Sequence, residues 1–500
     1  MAPPKNRLGP VILMDDVKHS HADTVGQIDV ASIKHCLQNG DAKLALQYCH
    51  ELLADDPQHI QTLLFATLAS RSLGWLDDAL NFINRALALA PQQSAIHSLL
   101  GDILLLQKRP EQALGALLQA RKLGDGSSQN FFHIGSAYLA LARYEDAKIY
   151  FDQALAMDSL MVAAHVNKGL AEHSLMHLDA ALRCFDAALC IDPGNIDAQW
   201  NKSHVLLTLG RYEEGFRLYE TRWKHPQIHL KKRKFDSKLW LGQESLSGKT
   251  ILLYAEGGFG DTIQFIRYAK LFDPDVKLII QCQLPLIELV SGMRLGAEVI
   301  APGDTPPPHD FHCPLMSLPL AFGTTIETVP QFDRYVFAPD RHVTKWGALM
   351  GQITGPKIGI VARGSSSFSN DKNRSIDLAE MLGHLPANAS YAVLQKDLSD
   401  DERAFIDSCD NIVAPGDALE TFADTAAICT HLDQMVSVDT GVAHLSAALG
   451  VPTNILIAHR PDWRWGHCGS KTPWYPSARL VRQSEHGNWC DVLSNWHNDC

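Results

Sequence analysis

Apolar positions are distributed along this chain in two different ways. Up to about residue 230 they recur with small residues at a long fixed interval, and from about residue 250 they gather into short runs set between glycine-rich or polar turns. Runs at 251–254, 276–282, 357–362, 391–395, 435–438 and 455–458 have the length of buried strands. Helical spacing follows or precedes several of them, at 263–271, 284–293, 420–427 and 442–449, while 301–310 is proline-rich loop and 313–323 a short helical or irregular segment. Strands alternating with helices predict parallel sheet.

The first pattern is a repeat. Pro57, Pro91, Asp125, Ser159 and Pro193 are 34 residues apart, with Pro226 one residue short of the next step. Twelve residues before these marks stand Ala45, Ala79, Ala113, Ala147 and Ala181, continued by Gly215, and Gly101, Gly135 and Gly169 keep a third register. Small residues at fixed places let paired helices approach closely, and a breaker ends the second helix before the next pair begins. The period and its small-residue pattern resemble tetratricopeptide repeats, about six of them over 25–229. Such arrays present a groove that takes peptide segments, so the resemblance implies recognition as the work of this half. Asn167 and Asn201 share one repeat position; they are either contacts for a bound backbone or ordinary surface residues.

Length and charge narrow the classes. Five hundred residues predict two or three domains. A net charge of −12 argues against a general nucleic-acid binder, with the run Lys231–Lys234 read as a solvated linker face. The eleven cysteines have neither C-x-x-C nor zinc spacing, so no metal is expected, and an odd count without a signal peptide suits a reducing cytoplasm. Residues 1–24 read as a flexible leader too weakly apolar to span a membrane. No transmembrane segment and no cofactor are expected. The remaining divisions are a linker at 230–248, two α/β halves at 249–345 and 346–490, and a tail at 491–500.

Three stretches carry candidate chemistry. Ser247-Gly248-Lys249-Thr250 imitates a P-loop, but Gly242 lies one residue too far upstream and the strand follows the lysine, so the motif is rejected. After the strand at 251–254 come Gly257, Gly258 and Gly260, which allow close backbone approach, and Asp261, either a helix-start acid or a cleft carboxylate able to act as a base. This loop is not G-x-G-x-x-G, because position 263 is isoleucine. The second stretch, 363–375, combines Arg363, Gly364, several hydroxyls, Lys372 and Arg374, and Gln395 ends the next strand; it is a phosphate cradle or a solvated loop. In the third, Asp439-Thr440-Gly441 turns a strand into a helix with His444 in its first turn, an anion-binding arrangement or a plain N-cap. Trp463 and Arg464 either stack a base or sugar or close the domain; Trp474 and Tyr475 are expected to pack.

Taken in order, E-G-G-F-G-D-T-I-Q-F, N-D-K-N-R-S and S-V-D-T-G-V-A-H-L-S-A-A-L-G, with D-W-R-W and P-W-Y-P-S-A-R-L, resemble the bacterial heptosyltransferase-like (family 9-like) glycosyltransferases that follow tetratricopeptide repeats. The likeness runs over 233–483. It implies GT-B architecture, two Rossmann-like domains across a cleft, and metal-independent, inverting transfer of a hexosyl or heptosyl group from a nucleotide sugar. It further implies Asp261 as base, Asp439, Thr440, Gly441 and His444 as donor contacts, and Lys372 with Arg374 on the donor phosphates. Two motifs depart from the family: Ala362-Arg363-Gly364-Ser365 stands where W-S-G-N is usual, and E-G-G-F-G-D replaces E-Q-G-L-G-D. The expected function is sugar transfer to a peptide or protein captured by the repeats; the alternative is a protein-binding scaffold with a degenerate, inactive transferase domain.

Overall fold

The structure, a computed structural model, describes residues 29–226, 233–365, 371–386 and 388–495. The expected leader at 1–24, Lys231 and Lys232 of the basic run, 366–370 of the polar loop, the Lys372 side chain and the end of the tail lie outside the described residues. The chain divides into two compact units, one reaching Leu175 and taking in 190–192, the other made of 176–189 and 193–500.

Twelve α-helices fill 30–219 among the described residues: α1 (Val30–Gln38), α2 (Ala42–Asp55), α3 (Ile60–Leu73), α4 (Leu76–Leu89), α5 (Ser94–Leu106), α6 (Pro110–Lys122), α7 (Ser128–Ala140), α8 (Tyr144–Met157), α9 (Val162–Ser174), α10 (Leu178–Ile191), α11 (Ile196–Thr208) and α12 (Tyr212–Tyr219). Within each unit α1–α2, α3–α4, α5–α6, α7–α8 and α11–α12 pack as pairs at the period read from the sequence. Ala45, Ala79, Ala113, Ala147 and Ala181 are all fully buried. A Cβ on Gly135 would come within 2.7 Å of the Phe151 ring and one on Gly215 within 2.6 Å of Leu207, so these glycines are spaces for the partner helix. The turns inside the pairs keep the period too. Gly40, Gly74, Lys108, Ala142, Met176 and Gly210, each 34 residues apart, all have positive φ.

The second unit carries eleven strands among its described residues: β1 (Lys238–Leu239), β2 (Thr250–Tyr254), β3 (Lys277–Gln281), β4 (Glu298–Ile300), β5 (Phe311–Pro314), β6 (Lys357–Val361), β7 (Ser390–Val393), β8 (Ile412–Val413), β9 (Gln434–Val438), β10 (Thr453–Ile457) and β11 (Ala478–Arg482). They build two wholly parallel sheets, β1-β5-β2-β3-β4 and β11-β10-β9-β6-β7-β8. Counted from its own first strand, the second sheet runs 3-2-1-4-5-6, the doubly wound order whose direction reverses between β6 and β9. The first sheet reverses in the same way between β2 and β5. Apolar clusters cover both faces of the second sheet, one around Ile358, Ile360 and Val436, the other around Val361, Met435 and Trp346.

Four sequence expectations shift. The helix expected at 263–271 starts earlier, as Phe259–Phe265 continued by a 3₁₀ turn, Ile266–Leu271, because Gly258 takes the N-cap position. The segment 313–323, read as helical or irregular, opens with central strand β5; His312 and Pro314 break the apolar run that would have marked it. The 230–248 linker supplies edge strand β1 and buries Trp240. The tail at 491–500 begins inside a helix, Cys490–Asn495, whose Val492 and Leu493 are buried. No described helix is long and apolar enough to cross a membrane.

The last pair, α11–α12, shares a core with the α/β region. Tyr212 lies 5.7 Å from Trp474, and Phe216 5.6 Å from Trp463 in an edge-to-face contact, all four buried. Trp474 and Tyr475 pack, as expected from the sequence.

Candidate functional site

Parallel doubly wound sheets leave a crevice at the carboxyl ends of their strands where the order reverses. In the second sheet this crevice lies beyond β6 and β9, at Arg363-Gly364 and Asp439-Thr440-Gly441. Thr440 caps the Gly441–Ala448 helix, its hydroxyl accepting from the Ala443 N–H at 3.3 Å, which leaves the N–H groups of Gly441 and Val442 without a partner inside the helix. Arg374 crosses the crevice, donating to the Asp439 carbonyl at 2.6 Å and to Asp371 at 3.1 Å. A Cβ on Gly364 would collide with the Arg374 guanidinium, so glycine is what lets Arg374 lie there.

The glycine-rich loop after β2 reaches the same place. Asp261 is the third residue of its helix and accepts from the Gly258 N–H at 2.6 Å, while its other oxygen is paired with Arg464. A Cβ on Gly260 would stand 2.8 Å from the His444 ring, and one on Gly441 would stand 3.5 Å from the Gly260 nitrogen. The two helix starts therefore touch glycine to glycine, with Asp261 on one and His444 on the other. Gly257 is held through its carbonyl, which accepts from Gln283 at 2.9 Å.

The electrostatics are set by burial. Arg464 donates to Gln264 at 2.6 Å and to Asp462 at 2.8 Å besides pairing with Asp261; burial works against its charge, but Asp462 and Asp261 outweigh it and pin the guanidinium charged. Burial, and then the Asp462 charge, push Asp439 up to about 6. Burial, reinforced by Arg464, pushes His444 down to about 3, so its ring is neutral at pH 7. That ring shares a hydrogen bond of 2.8 Å with the Tyr475 hydroxyl and lies against Trp465 at 5.1 Å. A neutral imidazole and an N-capped helix start are hydrogen-bond donors without a full positive charge, and Arg374 adds that charge beside them.

Of the residues singled out from the sequence, Gly257, Gly258, Gly260, Asp261, Arg374, Asp439, Thr440, Gly441, His444 and Arg464 converge. Trp463 lies 2 % exposed under α12, turned to packing. Arg363 pairs with Glu402 through its side chain, and its N–H donates to Gln395 at 3.2 Å, so the two serve to fix the β6–β7 strand ends. Asp462, Tyr475, Glu256 and Arg222 also belong to the surroundings of the site. Sequence reading took Tyr475 for packing and gave Asp462, Glu256 and Arg222 no role, although Glu256 stands inside the glycine-rich loop and Arg222 is a cation where the repeat period fails. Among the described residues no group of three or more His, Cys, Asp or Glu could hold a metal ion.

Two tetratricopeptide-repeat family models match the chain, at residues 37–103 and 133–196. Protein FlbA of Caulobacter vibrioides is 24% identical over 409 residues, which take in 75% of this chain and 66% of FlbA, so the chain spans just under two thirds of that relative's length. Among solved structures, YrrB, described as a TPR protein with an unusual peptide-binding site, is 19% identical over 36% of this chain and 93% of its own, with a TM-score of 0.30. PilW, described as a type IV pilus biogenesis factor, is 16% identical over 41% of this chain and 94% of its own, with a TM-score of 0.37. The N-terminal region of the chain is an array of tetratricopeptide repeats, followed by an α/β region of two parallel sheets.

Proposed function

We propose that the α/β region is a glycosyltransferase of the GT-B type, moving a sugar from a nucleotide-sugar donor to a peptide or protein acceptor held by the repeats. The observation that carries this reading is the meeting of two helix starts at Gly260 and Gly441, with a carboxylate on one side and unpaired helix N–H groups, neutral His444 and Arg374 on the other. A departing nucleoside diphosphate gains negative charge in the transition state, and preorganised donors aimed at it lower the barrier. The N–H groups after Thr440, together with Arg374 and Lys372, are suited to that charge. The acceptor oxygen attacks the anomeric carbon from the opposite face, its proton passing to Asp261, so the sugar inverts and no metal is required. Arg464 and the Gly258 N–H hold the Asp261 carboxylate in one orientation.

Calorimetric titration with a panel of nucleoside diphosphates and nucleotide sugars tests this reading. Saturable binding of at least one member is expected, weakened at least tenfold by Arg374→Ala. Asp261→Asn should leave that binding unchanged and abolish transfer. Absence of saturable binding across the panel would sink the transferase reading. It would favour a protein-binding scaffold, a second reading motivated by the pairing of both Asp261 oxygens and by Trp463 being spent on packing.

A further inference from the structure

We propose that Arg222, in the terminal turn of the repeat array, is a positioning residue for the glycine-rich loop, acting through Glu256 to fix the segment that carries Asp261. Its link to catalysis rests on the transferase reading; its effect on the loop does not.

Arg222 lies in a 3₁₀ turn, Glu220–Trp223, directly after α12, and is 1 % exposed. One guanidinium nitrogen donates to Glu220 at 2.5 Å and to the Tyr219 carbonyl at 3.3 Å; the other donates to Ser317 at 2.6 Å and to Glu256 at 3.1 Å. Ser317 in turn donates to Glu220 at 2.8 Å. The plane of the guanidinium is flanked by Tyr219 and Trp223, whose ring centres lie 5.1 and 4.6 Å from it. A planar fork gripped at both ends and on its faces has one position.

Glu256 stands at the carboxyl end of β2, where the first sheet reverses between β2 and β5. The same oxygen that meets Arg222 accepts from the Met316 N–H at 3.2 Å, just past β5. Three segments thus converge on one carboxylate oxygen: the end of the repeats, the loop after β2 and the segment after β5. The crevice that the second sheet leaves open is closed in the first sheet by Arg222.

The next residues are Gly257 and Gly258, and a glycine pair does not hold its own conformation. Asp261 is consequently placed by its anchors. On the far side these are Arg464, the helix itself and Gln283, which accepts from the Thr262 hydroxyl at 2.9 Å; on the near side Gln283 also holds the Gly257 carbonyl, and Glu256 is anchored by Arg222. A Cβ on Gly257 would come within 2.8 Å of the Asp261 carboxyl carbon, so a small movement of Glu256 alters the space in which the Asp261 carboxylate sits. The last turn of a peptide-binding array is in this way wired to the loop bearing the proposed base.

Hydrogen–deuterium exchange on the full-length chain tests the proposal. Arg222→Met should speed exchange of peptides covering 255–265 at least tenfold while leaving α1–α8 unchanged, and Arg222→Lys, which keeps charge but not the fork, should fall between. Glu256→Leu, which removes the accepting oxygen at similar volume, should also speed exchange and carries the test if Arg222→Met does not fold. In transfer assays both variants should lower kcat with the donor KM unchanged. Folded Glu256→Leu with wild-type exchange at 255–265 would overturn the proposal. Faster exchange in a protein whose wild type transfers no sugar from any donor would leave the positioning role standing and remove the transferase reading.

Discussion

Glu256 is buried with one carboxylate oxygen bonded to Arg222 and Met316, and its other oxygen meets no hydrogen-bond partner among the described residues. Burial, despite Arg222, pushes it up to about 7 from an ordinary 4.5. Between those two values the folded chain keeps a proton that the unfolded chain releases, so stability falls as pH rises from about 4.5 to 7 and levels off above that. The loss is roughly 3 kcal/mol, taking ~1.4 kcal/mol for each pH unit. Urea titrations of wild type and Glu256→Gln across this range should diverge by that amount, the variant lacking the slope; parallel curves would mean that Glu256 is ionised in the fold. Residues of this kind are hard to read from sequence. Asp261 and His444 stand out because each sits in a short motif next to a strand end. Arg222 and Glu256 are 34 residues apart and belong to different architectures, so only the packing of α12 on the first sheet brings them together.

Elements were legible where period or strand length was strong. The repeats declare themselves because the same spatial demand recurs at one interval: Ala45, Ala79, Ala113, Ala147 and Ala181 are each fully enclosed. Strands β1, β4, β5 and β8 escaped because two to four residues, in β5 broken by histidine and proline, carry no period, and β11 because arginines interrupt its apolar residues, whereas pairing to already buried neighbours suffices to order them. One periodic demand is met unequally. The turn inside each pair needs positive φ, supplied by Gly40, Gly74 and Gly210 but by Lys108, Ala142 and Met176 in the middle pairs. A side chain in this region costs about 1–2 kcal/mol, of which roughly 0.5–1 is cancelled by the extra freedom glycine gives the unfolded chain. Ala142→Gly should therefore raise the thermal midpoint of the repeat unit, with a gain of up to about 1 kcal/mol. In the same pair Gly135→Ala should lower it, because the added methyl meets the fully buried Phe151 ring 2.7 Å away; overpacking costs about 1–3 kcal/mol and better helix propensity returns about 1. Calorimetric scans of the two variants should shift in opposite directions, and a shared direction would contradict one of the two assignments.

At the scale of the whole molecule the sequence boundary and the physical boundary differ. The period ends near residue 229, which makes the repeats look like one body and the α/β halves another. The contacts instead gather 176–189 and 193–500 into one compact unit. The reason lies in side chains the period does not register: Tyr212, Phe216 and Tyr219 are all buried, and Trp463 and Trp474, which they cover, are 2 % and 0 % exposed. A chain starting at Arg233 would strip three aromatic rings and Arg222 from that surface, leaving Glu256 buried without its cation. Losing a single buried aromatic side chain costs about 3–5 kcal/mol, and three such losses approach the whole stability of about 5–15 kcal/mol that a domain has to lose. A chain starting at Pro193 keeps α11, α12 and the Arg222 turn. It should unfold in urea as one cooperative transition with the blue-shifted tryptophan emission of an enclosed core, while the chain starting at Arg233 should emit further to the red and unfold without a sharp midpoint. Equal behaviour of the two would show that the last helix pair belongs with the repeats, and that the α/β region stands without it.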